Sequence, residues 1–303
     1  MLDAFARGLL EPWSVGRITV LARTASQLRS THPVLLGPRV ELIDADVGTI
    51  DRLPPASLVI HAAASADASR YLVAPEAERH NILRAASHYA RLARQWHPDS
   101  RILFASSGAV YGQQPATLDR LREDADPLLL ESMAPGKRAY AAAKRDAEAC
   151  FQALGRAGQR VAIARGFAFV GPWLPRDLHF AIGNFLADGL AGRPIRVQAR
   201  HPVWRSYLHA DDLVHWLMTL VSAAEPACPV VNVGSDQDYL LDDVARRVGA
   251  AFGLPAELPD MAAGPVDRYV PSIDRARERF GLRVTRSLDQ AIEATIASTV
   301  RSA

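Results

Sequence analysis

Tyr140 and Lys144 stand four residues apart in the run A-Y-A-A-A-K, residues 139–144. On an α-helix that spacing puts both side chains on one face, one turn apart. An ammonium beside a phenol favours the phenolate and so lowers the phenol's pKa. A free tyrosine titrates near 10, and bringing it to about 7 takes about 4 kcal/mol of differential stabilisation. The Lys144 charge and a second cation nearby supply an effect of that size in a partly dry site. A tyrosine tuned in this way exchanges protons with an alcohol or a ketone.

A second set of polar groups lies upstream, in A-S-S-G-A-V-Y-G (105–112), directly after the apolar run R-I-L-F (101–104). Small hydroxyl residues at the C-terminal end of a parallel strand face the crevice where ligands bind. A serine placed there hydrogen-bonds a substrate oxygen and turns it toward a base.

The elements that must hold these groups are legible as alternating patterns. Near-continuous apolar runs at 17–22, 39–44, 57–62, 101–106 and 160–165 read as strands buried on both faces. Helical stretches at 81–94 and 139–154 lie between some of them. The pattern predicts an α/β fold, a Rossmann-type doubly wound parallel sheet over residues 1–166. After Gly171-Pro172 the character changes. Helices at 178–191, 211–223, 240–252 and 287–300, with short strands at 195–198 and 230–233, predict a smaller, mostly helical C-terminal α/β substrate lobe over 167–303. The opening M-L-D-A-F-A-R-G-L-L reads as an amphipathic helix, with Leu2, Phe5 and Leu9 on one face and Asp3 four residues before Arg7.

Composition excludes several classes. With 49% hydrophobic and 22% charged residues over 303 positions, the chain is neither disordered nor collagen-like nor a disulfide scaffold. Cys150 and Cys228 have no CxxC partner, which fits a reducing compartment and predicts no metal site. A net charge of +2 gives no reason for a nucleic-acid partner. No apolar run reaches the roughly 18 residues of a membrane span, and no signal pattern opens the chain. The expected location is cytoplasmic, with no membrane partner.

Taken in order, the motifs resemble the extended short-chain dehydrogenase/reductases, the NAD-dependent epimerase/dehydratase group that modifies nucleotide sugars. V-I-H-A-A-A (59–64) is similar to that group's strand lining the cofactor cleft. A-S-S-G-A-V-Y-G is similar to its serine motif, and Tyr140 and Lys144 to its Tyr-x-x-x-Lys pair. A-R-G-F-A-F-V-G-P (164–172), R-S-Y-L-H-A-D-D-L-V (205–214) and V-N-V-G-S (231–235) complete the set. The resemblance implies a catalytic triad of Ser107, Tyr140 and Lys144. It implies cofactor contacts from Arg23, Asp46, Val47, Ala62, Ala63 and Asn81, together with Tyr140 and Lys144. It implies substrate contacts from Ser107, Asn184, Arg205 and Arg268, the last three on a diphosphate, which arginine binds by charge-assisted hydrogen bonds. The partner is then a nucleotide-diphosphate sugar. A homodimer through the tyrosine helix and the one before it is also implied, since alanines 141–143 allow close packing. The cofactor is NAD or NADP. Arg23 stands where NAD-specific relatives place an acid for the ribose 2′-hydroxyl, and it suits a 2′-phosphate, so NADP is preferred.

The chain also departs from that pattern. The family opens on a strand and a Gly-x-x-Gly-x-x-Gly turn that cradles a pyrophosphate, and here neither is present, so strand 17–22 corresponds to the family's second strand. The start reads as late by about 14 residues of that pattern, with a degraded relative as the other reading. Gly108 and Ala109 stand where the 4,6-dehydratases carry an acidic pair, which disfavours dehydration. Ala199-Arg200-His201 replaces a Gly-Asp-Gly, and Ala168 an asparagine near the nicotinamide. The expected activity is an NAD(P)-dependent nucleotide-sugar oxidoreductase, a 4-keto-sugar reductase or a 4-epimerase. A non-catalytic or cofactor-impaired sugar-nucleotide-binding relative is the alternative that the absent glycine turn leaves open.

Overall fold

A computed structural model describes residues 1–65, 68–125, 130–131, 133–176, 178–262 and 264–300. Its frame is a set of parallel strands: β1 (Ile18–Ala22), β2 (Val40–Asp44), β3 (Leu58–His61), β4 (Arg101–Ser107) and β5 (Arg160–Gly166). The main sheet has the order β3, β4, β5 and then the edge strand Val230–Val233, all parallel. In register, Ser107 stands beside Gly166 and Phe104 beside His61.

Side chains alternate across this sheet with the period of two that a pleated strand imposes. Leu103, Ala162, Ala164, Val231 and Val233 face one core, closed by Trp216 and Leu220 of the helix Ala210–Ser222 and by Phe5 and Leu10. Ile102, Phe104, Val161 and Ile163 face the opposite core. That side is covered by the helices Pro75–Trp96 and Pro135–Arg156, through Tyr89, Leu92, Ala147 and Phe151.

β1 and β2 form their own parallel pair, with Ile18 opposite Val40. The same two cores hold this pair, since Ile18 and Val40 pack against the first while Val47 and Ile50, just past β2, pack against the second. Among the described residues no ladder joins β1 to β3, so each keeps one unpaired edge. Most of their residues are accordingly half-exposed, where the interiors of β4 and β5 are buried.

Two expectations need correction. The strand at 230–233, read as part of the smaller lobe, is the edge of the main sheet beside β5. The sheet therefore does not end at residue 166, because a four-residue apolar run cannot say which strand it will pair with. The N-terminal helix spans only Leu2–Ala6, with Arg7 paired to Asp3 at 2.9 Å as expected. Gly8 then takes a φ of +77°, which ends the helix and leaves Leu9 exposed while Leu10 is buried.

A third core joins the helices Ala181–Leu190, Leu241–Phe252 and Leu288–Val300 through Ile182, Phe185, Val244, Val248 and Ile292. Beside it lies a three-stranded sheet in which Val203–Ser206 is central, between Asp238–Leu240 and Asp267–Tyr269. No helix among the described residues is long and apolar enough to cross a membrane.

Candidate active site

The helix Pro135–Arg156 carries both Tyr140 and Lys144. Proline at its first position has the right φ and no N–H to waste, and the alanine-rich stretch that follows has the highest helix propensity. Its buried face is built from Ala139, Ala143, Lys144, Ala147, Glu148 and Phe151. The small side chains let the helix lie close to β4. A Cβ on Gly136 would meet the Tyr71 carbonyl oxygen at 2.9 Å, so the first turn also approaches the neighbouring helix Ala68–Val73 closely.

Ser107 ends β4, extended at φ −145° and ψ 148°, and its Oγ accepts from the Ala109 N–H at 3.2 Å. Lys144 is only 4% exposed and donates from Nζ to the Ala105 carbonyl at 2.8 Å. The ammonium stands 5.7 Å from the Tyr140 ring centroid and 5.0 Å from that of Phe104. Burial pushes Lys144 down to about 8, against the pull of Glu148. Tyr140 is half-buried, with the Tyr71 ring edge-on at 5.2 Å.

In the free protein the electrostatics at Tyr140 run against ionisation. Burial raises its pKa above the ordinary tyrosine value, and hydrogen bonding with Ser107 only partly offsets this. Desolvation penalises the phenolate more than its surroundings support it, and Lys144 is engaged with a backbone carbonyl. The protein alone therefore holds Tyr140 as a protonated acid.

A further tyrosine completes the site. Tyr269 lies 3.4 Å from Ser107 Oγ, donates to the Gly166 carbonyl at 3.3 Å, and has its ring against Phe167 at 4.6 Å. Burial raises its pKa as well. A Cβ on Gly108 would meet Phe167 at 2.6 Å and the Tyr269 oxygen at 2.7 Å. A side chain at 108 would therefore force Phe167 and Tyr269 to shift.

Two of the residues expected on a diphosphate, Arg205 and Arg268, turn to opposite faces of one sheet. Residues paired across neighbouring strands share a sheet face. Arg205 is paired with Tyr269 and lies on the Ser107 side, bound to Asp267 at 2.9 Å. Arg268 is paired with Trp204 and turns to the opposite face, where it stacks over that ring at 4.8 Å and pairs with Asp238. Asp238 also receives Arg120 at 2.8 Å. Asn184 is exposed on its helix and donates to the Leu178 carbonyl at 2.9 Å.

The expected cofactor residues follow the ends of parallel strands. Ala62 and Ala63 are exposed just after β3, and Asn81 is half-buried on the helix Pro75–Trp96. Arg23 is exposed after β1. Asp46, after β2, accepts from Arg84 at 2.9 Å and from the Gly48 N–H at 2.8 Å, and these bonds hold its carboxyl below the usual range. Val47 packs into the core. Tyr269 escaped the sequence reading, although the alternation in D-R-Y already assigns Arg268 and Tyr269 to opposite faces of a strand.

Comparison with known proteins bears on the fold and the family. The chain is 27% identical over 204 residues to UDP-glucuronic acid decarboxylase 1 of Xenopus tropicalis, covering 65% of this chain and 46% of that one. It spans about half the length of the first curated relatives it matches. The fold superimposes on UDP-glucose 4-epimerase of Thermotoga maritima, solved with UDP-glucose, at a TM-score of 0.81 and 15% identity, over 100% of this chain and 96% of the other. For the UDP-glucose 4-epimerase of Thermus thermophilus in complex with NAD the TM-score is 0.79, at 20% identity over 100% and 96% of the two chains. Residues 15–234 match the family model described as the NAD dependent epimerase/dehydratase family, and with that match across most of its length the chain belongs to this family.

Proposed function

We propose that the protein catalyses a redox step at a carbinol carbon of a nucleotide-diphosphate sugar, as a 4-keto-sugar reductase or a 4-epimerase. The observation that carries this reading is the convergence of Ser107, Tyr140 and Lys144 at the end of β4.

The residues around the triad fit the nicotinamide end of NAD or NADP. Ala62 and Ala63 are small and exposed beside β4, and Lys144 supplies a cation. When bound, the nicotinamide supplies the hydride acceptor and donor. Arg23 and Asp46 would meet the adenosine end, and an exposed arginine at 23 supports NADP over NAD.

Ser107 orients the sugar oxygen by a hydrogen bond. Tyr140, protonated in the free protein, donates its phenolic proton as a ketone oxygen gains negative charge. In the opposite direction Tyr140 must first ionise, and Lys144 together with a cationic ring favours that state. Arg205, which shares a sheet face with Tyr269, would exchange Asp267 for the diphosphate in this reading. A dimer through the helices Pro75–Trp96 and Pro135–Arg156, and a cytoplasmic setting, accord with this reading.

The test is a panel of UDP- and dTDP-linked sugars, with UDP-glucose and UDP-glucuronic acid among them, assayed with NADH, NADPH, NAD and NADP. Epimer formation, net reduction and CO₂ release are followed separately. Tyr140→Phe should keep the thermal melt and lower kcat by about 10²–10⁴-fold. Activity within a few-fold of wild type in that variant refutes the assignment.

A further inference from the structure

Three consecutive residues at the end of β4 are gripped by successive turns of one helix. The Ala105 carbonyl accepts from Lys144 at 2.8 Å. Ser106 Oγ donates to Glu148 at 2.6 Å, and Ser107 interacts with Tyr140. The helix residues 140, 144 and 148 are spaced by four, so they form one stripe.

Glu148 is held from a second side. Arg165 of β5 reaches one carboxylate oxygen at 3.0 Å and the other at 2.8 Å. Both partners are largely buried, and the Arg165 guanidinium also lies over the Tyr111 ring at 4.8 Å. Buried ion pairs add little net stability compared with well-packed apolar residues. The pair therefore calls for a reason beyond stability, and its position beneath Lys144 offers one.

Among the described residues, few groups face Lys144. His61 approaches from β3 and is neutral, because burial and the Lys144 charge push it down to about 4. Phe104 of β4 presents its ring face, and Tyr140 lies one turn away with Tyr71 behind it. Arg165 acts on Glu148 from β5. Among these groups, Glu148 carries the negative charge that favours the Lys144 ammonium.

We propose that Glu148 is a positioning residue for the triad. Clasped by Ser106 and Arg165, it pins the serine end of β4 to the tyrosine helix and keeps a carboxylate one turn from Lys144. This rests on the reading of Tyr140 and Lys144 as the proton-transfer pair.

The chain contains only two lysines, Lys137 and Lys144, so lysine-selective ¹³C labelling yields two side-chain signals. Lys137 is exposed and serves as the internal reference. In Glu148→Gln the Lys144 midpoint should fall by at least about one unit, a tenfold change in its ionisation ratio, while Lys137 stays put. At pH 7 the same variant should lose at least about tenfold in kcat with KM within about twofold, since the residue acts through Lys144 and Ser107 and touches no substrate. Glu148→Asp, which keeps the charge, should restore the midpoint to within about 0.3 unit of wild type. An unmoved Lys144 midpoint in Glu148→Gln overturns the proposal. Should that variant fail to fold, Ser106→Ala decides, because it removes one clasp and leaves the charge: the proposal requires a fall of at least about threefold in kcat, and an unchanged kcat overturns it. A wild-type protein inert toward every nucleotide sugar would instead refute the functional reading, and the lysine titration would still report on Glu148.

Discussion

A guanidinium that binds a diphosphate has to be reachable from the cleft, and Arg205 and Arg268 differ in that respect. Arg205 shares a sheet face with Tyr269 and pairs with Asp267. Arg268 is turned away, stacked on Trp204 and paired with Asp238. Arg205→Ala should raise KM for the nucleotide sugar at least about tenfold with kcat nearly unchanged, the mark of lost uniform binding. Arg268→Ala should leave KM alone and lower stability by about 1–3 kcal/mol, since a largely buried charge-assisted contact is lost. Steady-state kinetics and urea denaturation on both variants separate the two roles. Equal effects on KM would show that both arginines reach the substrate. Residue types alone could not make this distinction, because both segments supply an arginine in a polar context. The strand period would have made it, by assigning Arg268 and Tyr269 to opposite faces.

At the scale of elements, long periodic segments were the legible ones. The tyrosine helix and β4 and β5 fall where alanine content and apolar runs put them. The strand Val230–Val233 was legible as a strand but not as the neighbour of β5, since pairing over that sequence distance depends on what else the sheet leaves open. The residues of the proposed triad sit in continuous motifs, whereas Tyr269 comes from a short strand far along the chain. The electrostatic sign at Tyr140 was not legible, because burial is a property of the packed molecule.

β3 carries a related consequence in His61, buried among Tyr89, Phe104 and Phe151, with no geometric hydrogen-bond partner for either ring nitrogen among the described residues. Its pKa is about 4 in the fold against an ordinary value of 6.5. Between those values the unfolded chain binds the extra proton, so the fold loses stability as pH falls through that window. The loss contributed by this one group is roughly 2–3 kcal/mol between pH 7 and 4.5. His61→Leu should remove that share of the acid sensitivity, as measured by urea denaturation at the two pH values. The same acid loss in both proteins would show that His61 does not carry it.

For the whole molecule, the divided sheet sets where the structure opens. In a parallel ladder alternate residues turn their backbone groups to the same side. Ile18 donates toward β2, at Arg39, so Thr19 and Leu21 turn to the unpaired edge of β1. The Ser57 carbonyl accepts from Arg101, which turns Leu58 and Ile60 to the unpaired edge of β3. In hydrogen exchange on the 303-residue chain, these four amides should exchange at least about 100-fold faster than those of Leu103 and Ile163. Equal protection would mean that the two edges are closed in solution.

The scarcity of lysine has a practical side. Both lysines lie in the tyrosine helix, Lys137 in its first turn and Lys144 one turn past Tyr140. A protease that cuts only after lysine thus has two targets in the entire chain, both on the element that carries the proposed chemistry. Cleavage needs an extended backbone, so in the folded protein its rate follows how often this helix unwinds. A ligand that binds only the closed helix slows the cut by mass action. Digestion rate becomes a binding assay for this site that needs neither turnover nor a chromophore.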